Sequence, residues 1–311
     1  MRYAVWTLVV IACAFPGLVT ACELSADKVT EIVGVQATTT PDGIVRVGWP
    51  RRDVPVSVDG LAIRPFMGLG SWAAFQSADD GAMMMGDTVV FEDEVNPAID
   101  AAFANGLEVT ALHNHFLLDE PKVYFMHIGG NGCPDKLAQG VKAVWDAVKK
   151  VRADNAQPAN RFDDRVPEYG ELDTEKLARI IGTAGTVEDQ VFKVTIGRDA
   201  EMHGMKFGGG MGLTTWAAFA GTNELAVVDG DFAMTASEVQ SVLRALRQAN
   251  IRIVALHNHM VGENPAYYFV HFWGKGTAEN LAIGFRASLD AQQGASAKVT
   301  ESQETHDGER D

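Results

Sequence analysis

Ala111-Leu112-His113-Asn114-His115, an interval of seven residues, then Val123-Tyr124-Phe125-Met126-His127: the reading of the whole chain turns on this stretch, because it occurs twice. Ala255-Leu256-His257-Asn258-His259 and, after the same interval, Tyr267-Tyr268-Phe269-Val270-His271 repeat it at a constant offset of 144 residues. Six of the eight histidines lie in the two copies. In each, an apolar, partly β-branched run leads into His-x-His, which is strand composition. Strand side chains alternate faces, so His113 and His115 share one face with Asn114 on the other. A five-residue loop (118–122, or 262–266) would set His113 opposite His127 and His257 opposite His271, with Cβ atoms roughly 5 Å apart. Three histidines converging in this way, with a fourth position open, form the ligand set of catalytic zinc sites. A register slip of one residue would turn the third histidine to the wrong face.

Outward from the histidines the duplication continues. Trp72-Ala73-Ala74-Phe75 matches Trp216-Ala217-Ala218-Phe219, and Gly86-Asp87 matches Gly230-Asp231, at the same offset. Glu23-Leu24 and Glu171-Leu172 begin the two copies at an offset of 148, so repeat 1 carries about four extra residues, which the Pro41-Asp42-Gly43 turn would hold. Each copy reads as a short helix capped by Ser25 or Asp173, several strands, an amphipathic helix (Val95, Ile99, Ala102, Phe103; Val239, Val242, Leu243, Leu246), the histidine hairpin and a last helix. Local hairpins and an excess of strands predict two tandem homologous α+β repeats with mainly antiparallel sheets and pseudo-twofold symmetry. The boundaries are residues 1–22 for a leader, 23–150 for repeat 1, 151–170 for a linker, 171–292 for repeat 2 and 293–311 for a polar, disordered tail.

The leader has a weakly basic start and a short apolar run, broken at Pro16-Gly17, as a secretory signal does. It ends Leu18-Val19-Thr20-Ala21-Cys22. Small residues ahead of a cysteine resemble a bacterial lipobox, with Cys22 lipidated and anchoring the protein to a membrane. Ordinary cleavage near Ala21 is the competing reading. With Cys13 removed and Cys22 acylated, only Cys133 would remain, incidental and without a disulfide partner. The net charge of −15 argues against nucleic acid as a partner.

Carboxylates follow each His-x-His: Asp119 and Glu120 in one copy, Glu263 in the other. They are candidates for a fourth ligand, a supporting partner or a general base on a metal-activated water. Trp72, Trp216, Tyr124 and Tyr268 are candidate walls of a ligand cleft. Met83-Met84-Met85 suggests a soft metal site, but Val227-Val228-Asp229 at the matching place argues for core strand. His-x-His-x3-Glu partly resembles the first cupin motif, without the second. The double Ala-Leu-His-Asn-His with its following aromatic-rich His strand, behind a lipobox-like start, resembles the LppY/LpqO family of bacterial envelope lipoproteins. That resemblance covers nearly the whole mature chain and implies export and a repeat without implying a reaction. Three functions compete: a zinc-type hydrolase acting in the cell envelope on a small molecule or envelope component, a non-catalytic lipoprotein binding a divalent metal or small ligand, and a structural protein whose histidines are hydrogen-bonded inside the sheet.

Overall fold

The computed structural model of the chain describes residues 22–163 and 165–307, with side chains to residue 296. The expected leader lies outside the described residues except for Cys22. Repeat 1 comprises α1 (Ala26–Val33), β1 (Thr38–Thr39), β2 (Val45–Pro50), β3 (Ser57–Val58), β4 (Leu61–Ala62), β5 (Gly70–Ala78), β6 (Gly81–Phe91), α2 (Val95–Ala104), β7 (Glu108–His113), β8 (Asp119–Glu120), β9 (Val123–Gly132) and α3 (Pro134–Asp154). Repeat 2 comprises α4 (Thr174–Ile181), β10 (Gly185–Glu188), β11 (Val191–Gly197), β12 (Ala200–Met202), β13 (Met205–Phe207), β14 (Thr214–Gly221), β15 (Ala226–Thr235), α5 (Ala236–Gln248), β16 (Arg252–His257), β17 (Tyr267–Gly276) and α6 (Ala278–Asp307).

The two repeats build one twelve-stranded sheet in the order β1-β2-β5-β6-β9-β7-β16-β17-β15-β14-β11-β10, which reads the same from either end. Every pairing within it is antiparallel. The fold is therefore the mixed α+β tandem repeat that the sequence predicts. The halves join where Leu112 of β7 pairs with Leu256 of β16. The other backbone groups at this junction are met by side chains: the Asn96 amide bonds both backbone groups of Ile253, and Gln240, its counterpart 144 residues on, bonds both of Val109.

Among the described residues six helices pack against the sheet, around a main core shared by both repeats and two smaller apolar clusters. In α2 the buried Val95, Ala98, Ile99 and Ala102 fall at intervals of three and four, and α5 buries Val239, Val242, Leu243 and Leu246 in the same pattern. Asp173 caps α4 by accepting from the Lys176 amide, as expected, whereas Ser25 caps nothing through its side chain. Thr235 and Glu238 form a capping box at the start of α5.

Several expectations are corrected. The extra residues of repeat 1 do not sit mainly at Pro41-Asp42-Gly43. Val45 pairs with Phe75 as Phe192 pairs with Phe219, so the offset is still 147 there, and three of the four extra residues fall after Arg51, before the β3–β4 turn. Helix α3 runs four residues into the predicted linker. Helix α6 continues to Asp307 where the polar composition suggested disorder, held near its middle by Gln292, which donates to Ala233 O and Glu238 Oε2. Of the methionine run only Met84 is core, with Met83 and Met85 exposed.

Cys22 is joined to Cys133 by a disulfide. That overturns the expectation that no disulfide forms within the chain and that Cys133 is incidental. The physical reason is chemical exclusivity: one sulfur cannot be in a disulfide and in a thioether to lipid, so the form of the protein seen here is not the one lipidated at Cys22.

Candidate metal centre

Each histidine hairpin contains a bulge. In β7 the register shifts between Val109 and Ala111, and in β16 between Ile253 and Ala255. The extra residue lets Val109 and Leu112 both reach the core although three positions separate them, and it aims His113 at the opposite face. The hairpin register is not the one anticipated. His113 opposes Phe125 and Ala111 opposes His127; His257 opposes Phe269 and Ala255 opposes His271. The shift is two residues, and a shift of two preserves the face. The histidines of each copy therefore still converge, as diagonal rather than direct neighbours.

In repeat 2 the three meet. One ligand nitrogen from each of His257, His259 and His271 can be chosen so that all lie within 4.8 Å of one another, and among the described residues no other trio does this. His257 Nε2 and His259 Nε2 are 3.2 Å apart, a separation that needs a shared proton or cation between two lone pairs. His259 stacks on Phe269 with ring centroids 3.5 Å apart, and the rings of His257 and His271 lie 5.0 Å apart. In repeat 1, His113 Nε2 and His127 Nε2 approach to 3.0 Å, and His115 lies flat on Phe125 at 3.3 Å. The duplicated chemistry is thus present twice on the same sheet, in its tighter form in repeat 2.

A carboxylate lies beside each cluster, and it comes from the neighbouring strand rather than from the hairpin loop. Asp231 pairs in register with both His271 and Trp216, and Asp87 with His127 and Trp72. Paired residues share a face, so each repeat carries a Trp–Asp–His row across three strands. Asp231 Oδ2 is 3.5 Å from His259 Nε2, and its Oδ1 is 4.0 Å from His271 Nδ1. Asp231 is 3 % exposed, and Oδ1 has no hydrogen-bond partner. Burial pushes its carboxyl up to about 6, against the opposing pull of His271. Burial likewise raises Asp87. His257 and His259 are held below the ordinary imidazole value, first by burial and then by neighbouring histidines, and His115 is lowered for the same reasons. Two imidazoles held below their ordinary value, beside a buried carboxylate with an unfilled acceptor, suit a cation. The sequence signal for both aspartates was the Gly-Asp pair recurring at the histidine offset.

Asp119 and Glu263 do other work. Each accepts from the backbone N–H four residues on, Val123 or Tyr267, and so braces the hairpin loop. Glu120 is exposed and pairs with Ser57 in a small side sheet. None of the three is hydrogen-bonded or ion-paired to a histidine among the described residues; Asp119 also pairs with Lys122, and Glu263 Oε2 is buried without a hydrogen-bond partner. The physical reason for the bracing is loop geometry: a carboxylate at the start of a tight hairpin loop is well placed to satisfy the free amide at its end. Trp72 and Trp216 flank the aspartates, packed beneath Arg46 and Lys193 respectively. Tyr124 and Tyr268 precede the third histidine by three residues and so lie on the opposite face; neither walls the histidine cleft. A buried pair that sequence reasoning missed is Arg51–Glu94, repeated as Arg198–Glu238, which ties the loop after β2 or β11 to the second helix.

Residues 27–147 and 175–291 each match the family described as Domain of Unknown Function (DUF1259). The chain belongs to that family. Both matches coincide with the two repeats, so the unit of the DUF1259 family is one hairpin-bearing half of this molecule. No curated protein matches the sequence. Among solved structures it is similar to the trimeric bacterial microcompartment shell protein PduB, at 9% identity over 82% of this chain and 89% of that one, with a TM-score of 0.19. It is also similar to ethanolamine utilization protein EutL from Leptotrichia buccalis C-1013-b, at 11% over 70% and 82%, TM-score 0.20. A third is EtuB from Clostridium kluyveri, at 11% over 86% and 92%, TM-score 0.22. Scores this low carry no argument about this chain.

Proposed function

We propose that the protein binds a divalent transition metal, zinc before others, on His257, His259 and His271, and that it works outside the cytoplasm. The observation that carries this is the meeting of three imidazole nitrogens within 4.8 Å beside a buried carboxylate with an unfilled acceptor. Imidazole sets suit zinc, and a carboxylate next to a ligating histidine is the usual device for orienting the ring. When bound, such an ion lowers the pKa of a coordinated water toward neutrality, which is the basis of a hydrolase. Asp231 is the residue placed to hold or move a proton there. Export, to the envelope or periplasm, is supported by the signal-like start and by the disulfide, since such bonds persist in oxidising compartments. Small-molecule or envelope ligands remain the substrate class of this reading.

A second reading, a metal-binding protein without catalysis, is favoured by one specific finding: Asp119 and Glu263, the loop acids expected to serve as a base, each use an oxygen to brace the hairpin, and neither is hydrogen-bonded to a histidine. Metal content measured on untagged protein tests the shared core of both readings. One equivalent per chain, lost in His257→Ala, is expected. Protein that stays metal-free after incubation with zinc sinks both, and turnover on a panel of ester and phosphoester substrates separates them.

A further inference from the structure

The two repeats differ sharply at one place. The linker runs along the sheet of repeat 2, and a partly open cavity of about 510 Å³ lies between them. Trp273 and Val254 line it from the sheet, Phe162 and Tyr169 from the linker, and Tyr124 from repeat 1. Trp273 follows His271 by two residues on the same strand, so it shares the histidine face and starts ~7 Å along the strand from that ring. Three matching positions of repeat 1 hold a much smaller or differently charged group: Gly129 for Trp273, Glu108 for Arg252 and Asn131 for Lys275. Repeat 1 thus has the same strands without the aromatic floor and with the cation replaced by an anion.

The cavity lining carries Arg161, Arg252 and Lys275 against Glu92, Asp163 and Glu168, and the Asp163 carboxylate acts electrostatically on Arg252. The Arg252 guanidinium lies 4.2 Å from the centre of the Phe162 ring, and Lys275 Nζ donates to the backbone carbonyls of Asp163 and Arg165. Neither cation is ion-paired to a carboxylate within 4.0 Å among the described residues. Of the acidic side chains on the lining, Glu92 lies at the repeat-1 end beside Tyr124, and Asp163 and Glu168 belong to the linker. A largely apolar chamber with a few converging polar groups is the general form of a small-molecule site.

We propose that this cavity binds a small aromatic anion, its ring system against Trp273 and Phe162 and its acid group toward Arg252 and Lys275. Aromatic walls stack a flat ligand, and a half-buried guanidinium over a ring supplies a planar, weakly hydrated partner for a carboxylate or sulfonate. The site is independent of any metal on the histidines.

The test uses the full chain with 8-anilinonaphthalene-1-sulfonate as the anionic probe and N-phenyl-1-naphthylamine as its neutral counterpart. Saturable binding of one sulfonate probe per chain, with blue-shifted emission, is expected, unchanged by EDTA. Arg252→Glu, which installs the repeat-1 residue, is expected to weaken the anionic probe at least tenfold and the neutral probe less than twofold. Trp273→Gly is expected to weaken both at least tenfold. Should Trp273→Gly fail to give the cooperative melt of the parent, Phe162→Ala on the linker carries the same expectation. Non-saturable binding, or affinity unchanged in Arg252→Glu and in the aromatic variant, overturns the proposal. Equal loss of both probes in Arg252→Glu overturns the assignment of an anion.

Discussion

The side-chain amide of Asn96 brackets the backbone of Ile253 in the other repeat, accepting from its N–H at 2.9 Å and donating to its carbonyl at 3.2 Å. Gln240 does the same to Val109 from the opposite side, at 3.2 and 2.8 Å. Each repeat's second helix thus completes the bulged histidine strand of its neighbour. The bulge leaves backbone groups that no strand can reach at a junction with one bridging pair, and a carboxamide, having both donor and acceptor, is the side chain that can fill both vacancies. Nearby, Arg247 pairs with Asp100, and Arg244 bonds the carbonyls of Phe103 and Leu107. The histidine hairpins are therefore positioned by contacts between the halves as well as within them.

Asn96→Ala should accordingly cost more than an ordinary helix substitution. It leaves an N–H and a carbonyl of Ile253 buried without partners, and each such group costs roughly 1–3 kcal/mol. Urea unfolding should show a loss of about 2–4 kcal/mol. A loss below about 0.5 kcal/mol would mean that water or the strand itself replaces the bracket, and the account of the junction would fail.

Glu238 gives the fold a pH signature. Burial alone raises its carboxyl, but Arg198 at 3.0 Å, the Ser296 hydroxyl and the Thr235 amide together outweigh burial and hold it below its ordinary value of 4.5. A carboxyl lower in the folded than in the unfolded state contributes stability that is complete above the unfolded value and lost as pH falls through the folded one. Glu238→Gln should therefore be destabilised by about 2 kcal/mol near pH 7, with the gap to the parent closing below pH 4. Denaturant melts at several pH values measure it. A gap independent of pH would assign the loss to packing.

The disulfide makes a separate prediction. Cys22 and Cys133 close a loop with a sequence separation of 111 residues, tying the start of the described chain to the residue that caps α3. Cys133→Ser should lower stability by about 2–4 kcal/mol, and reduction of the parent should match it. Intact mass of exported protein decides the fate of Cys22: a mass two hydrogens below the reduced chain supports the bond, and an acyl mass increment refutes it for the exported form.

Much of this was legible in the sequence for reasons that can be named. The duplication exposed the fold because recurrence, at 144 residues from the β3–β4 turn onward, marks both copies of most elements, and the period of two in Tyr-Tyr-Phe-Val-His put the third histidine on the face of the first two. The hairpin register was not legible. The bulges at Thr110 and Val254 carry no glycine or proline to mark them, and nothing beside Asp119 and Glu263 marks the backbone amides that these loop acids satisfy. Asp87 and Asp231 were visible as a repeated pair but sit two strands away from the first histidines, a distance only pairing through β6–β9 and β15–β17 closes. Cys22 and Cys133 meet through tertiary packing that no local pattern encodes.

Gly230 tests how tightly the strand under the site is packed. A Cβ there would lie 2.1 Å from Phe272 Cζ and 2.5 Å from the Trp216 carbonyl oxygen, and the second neighbour is backbone that cannot swing aside. At Gly86, its counterpart, the nearest approach is 2.9 Å. Gly230→Ala should cost about 3 kcal/mol and Gly86→Ala about 1, within the usual range for overpacking. Equal costs, read from thermal melts, would show that repeat 2 is no more rigid than repeat 1.

The metal reading makes its sharpest prediction at Asp231, because a ligand and a supporting group fail differently. His257→Ala removes one of three donors and should abolish stoichiometric zinc. Asp231→Asn keeps the shape and removes the charge beside His259 and His271. Loss of such a partner typically weakens metal affinity 10–100-fold without emptying the site. Competition against a chromophoric chelator should therefore place Asp231→Asn between the parent and His257→Ala. The matching changes in repeat 1, His113→Ala and Asp87→Asn, should leave the first equivalent of zinc in place, since the repeat-1 trio does not gather its nitrogens as closely. Should His113→Ala instead remove the tight equivalent while His257→Ala spares it, the centre belongs to repeat 1 and the ranking of the two clusters by geometry is wrong.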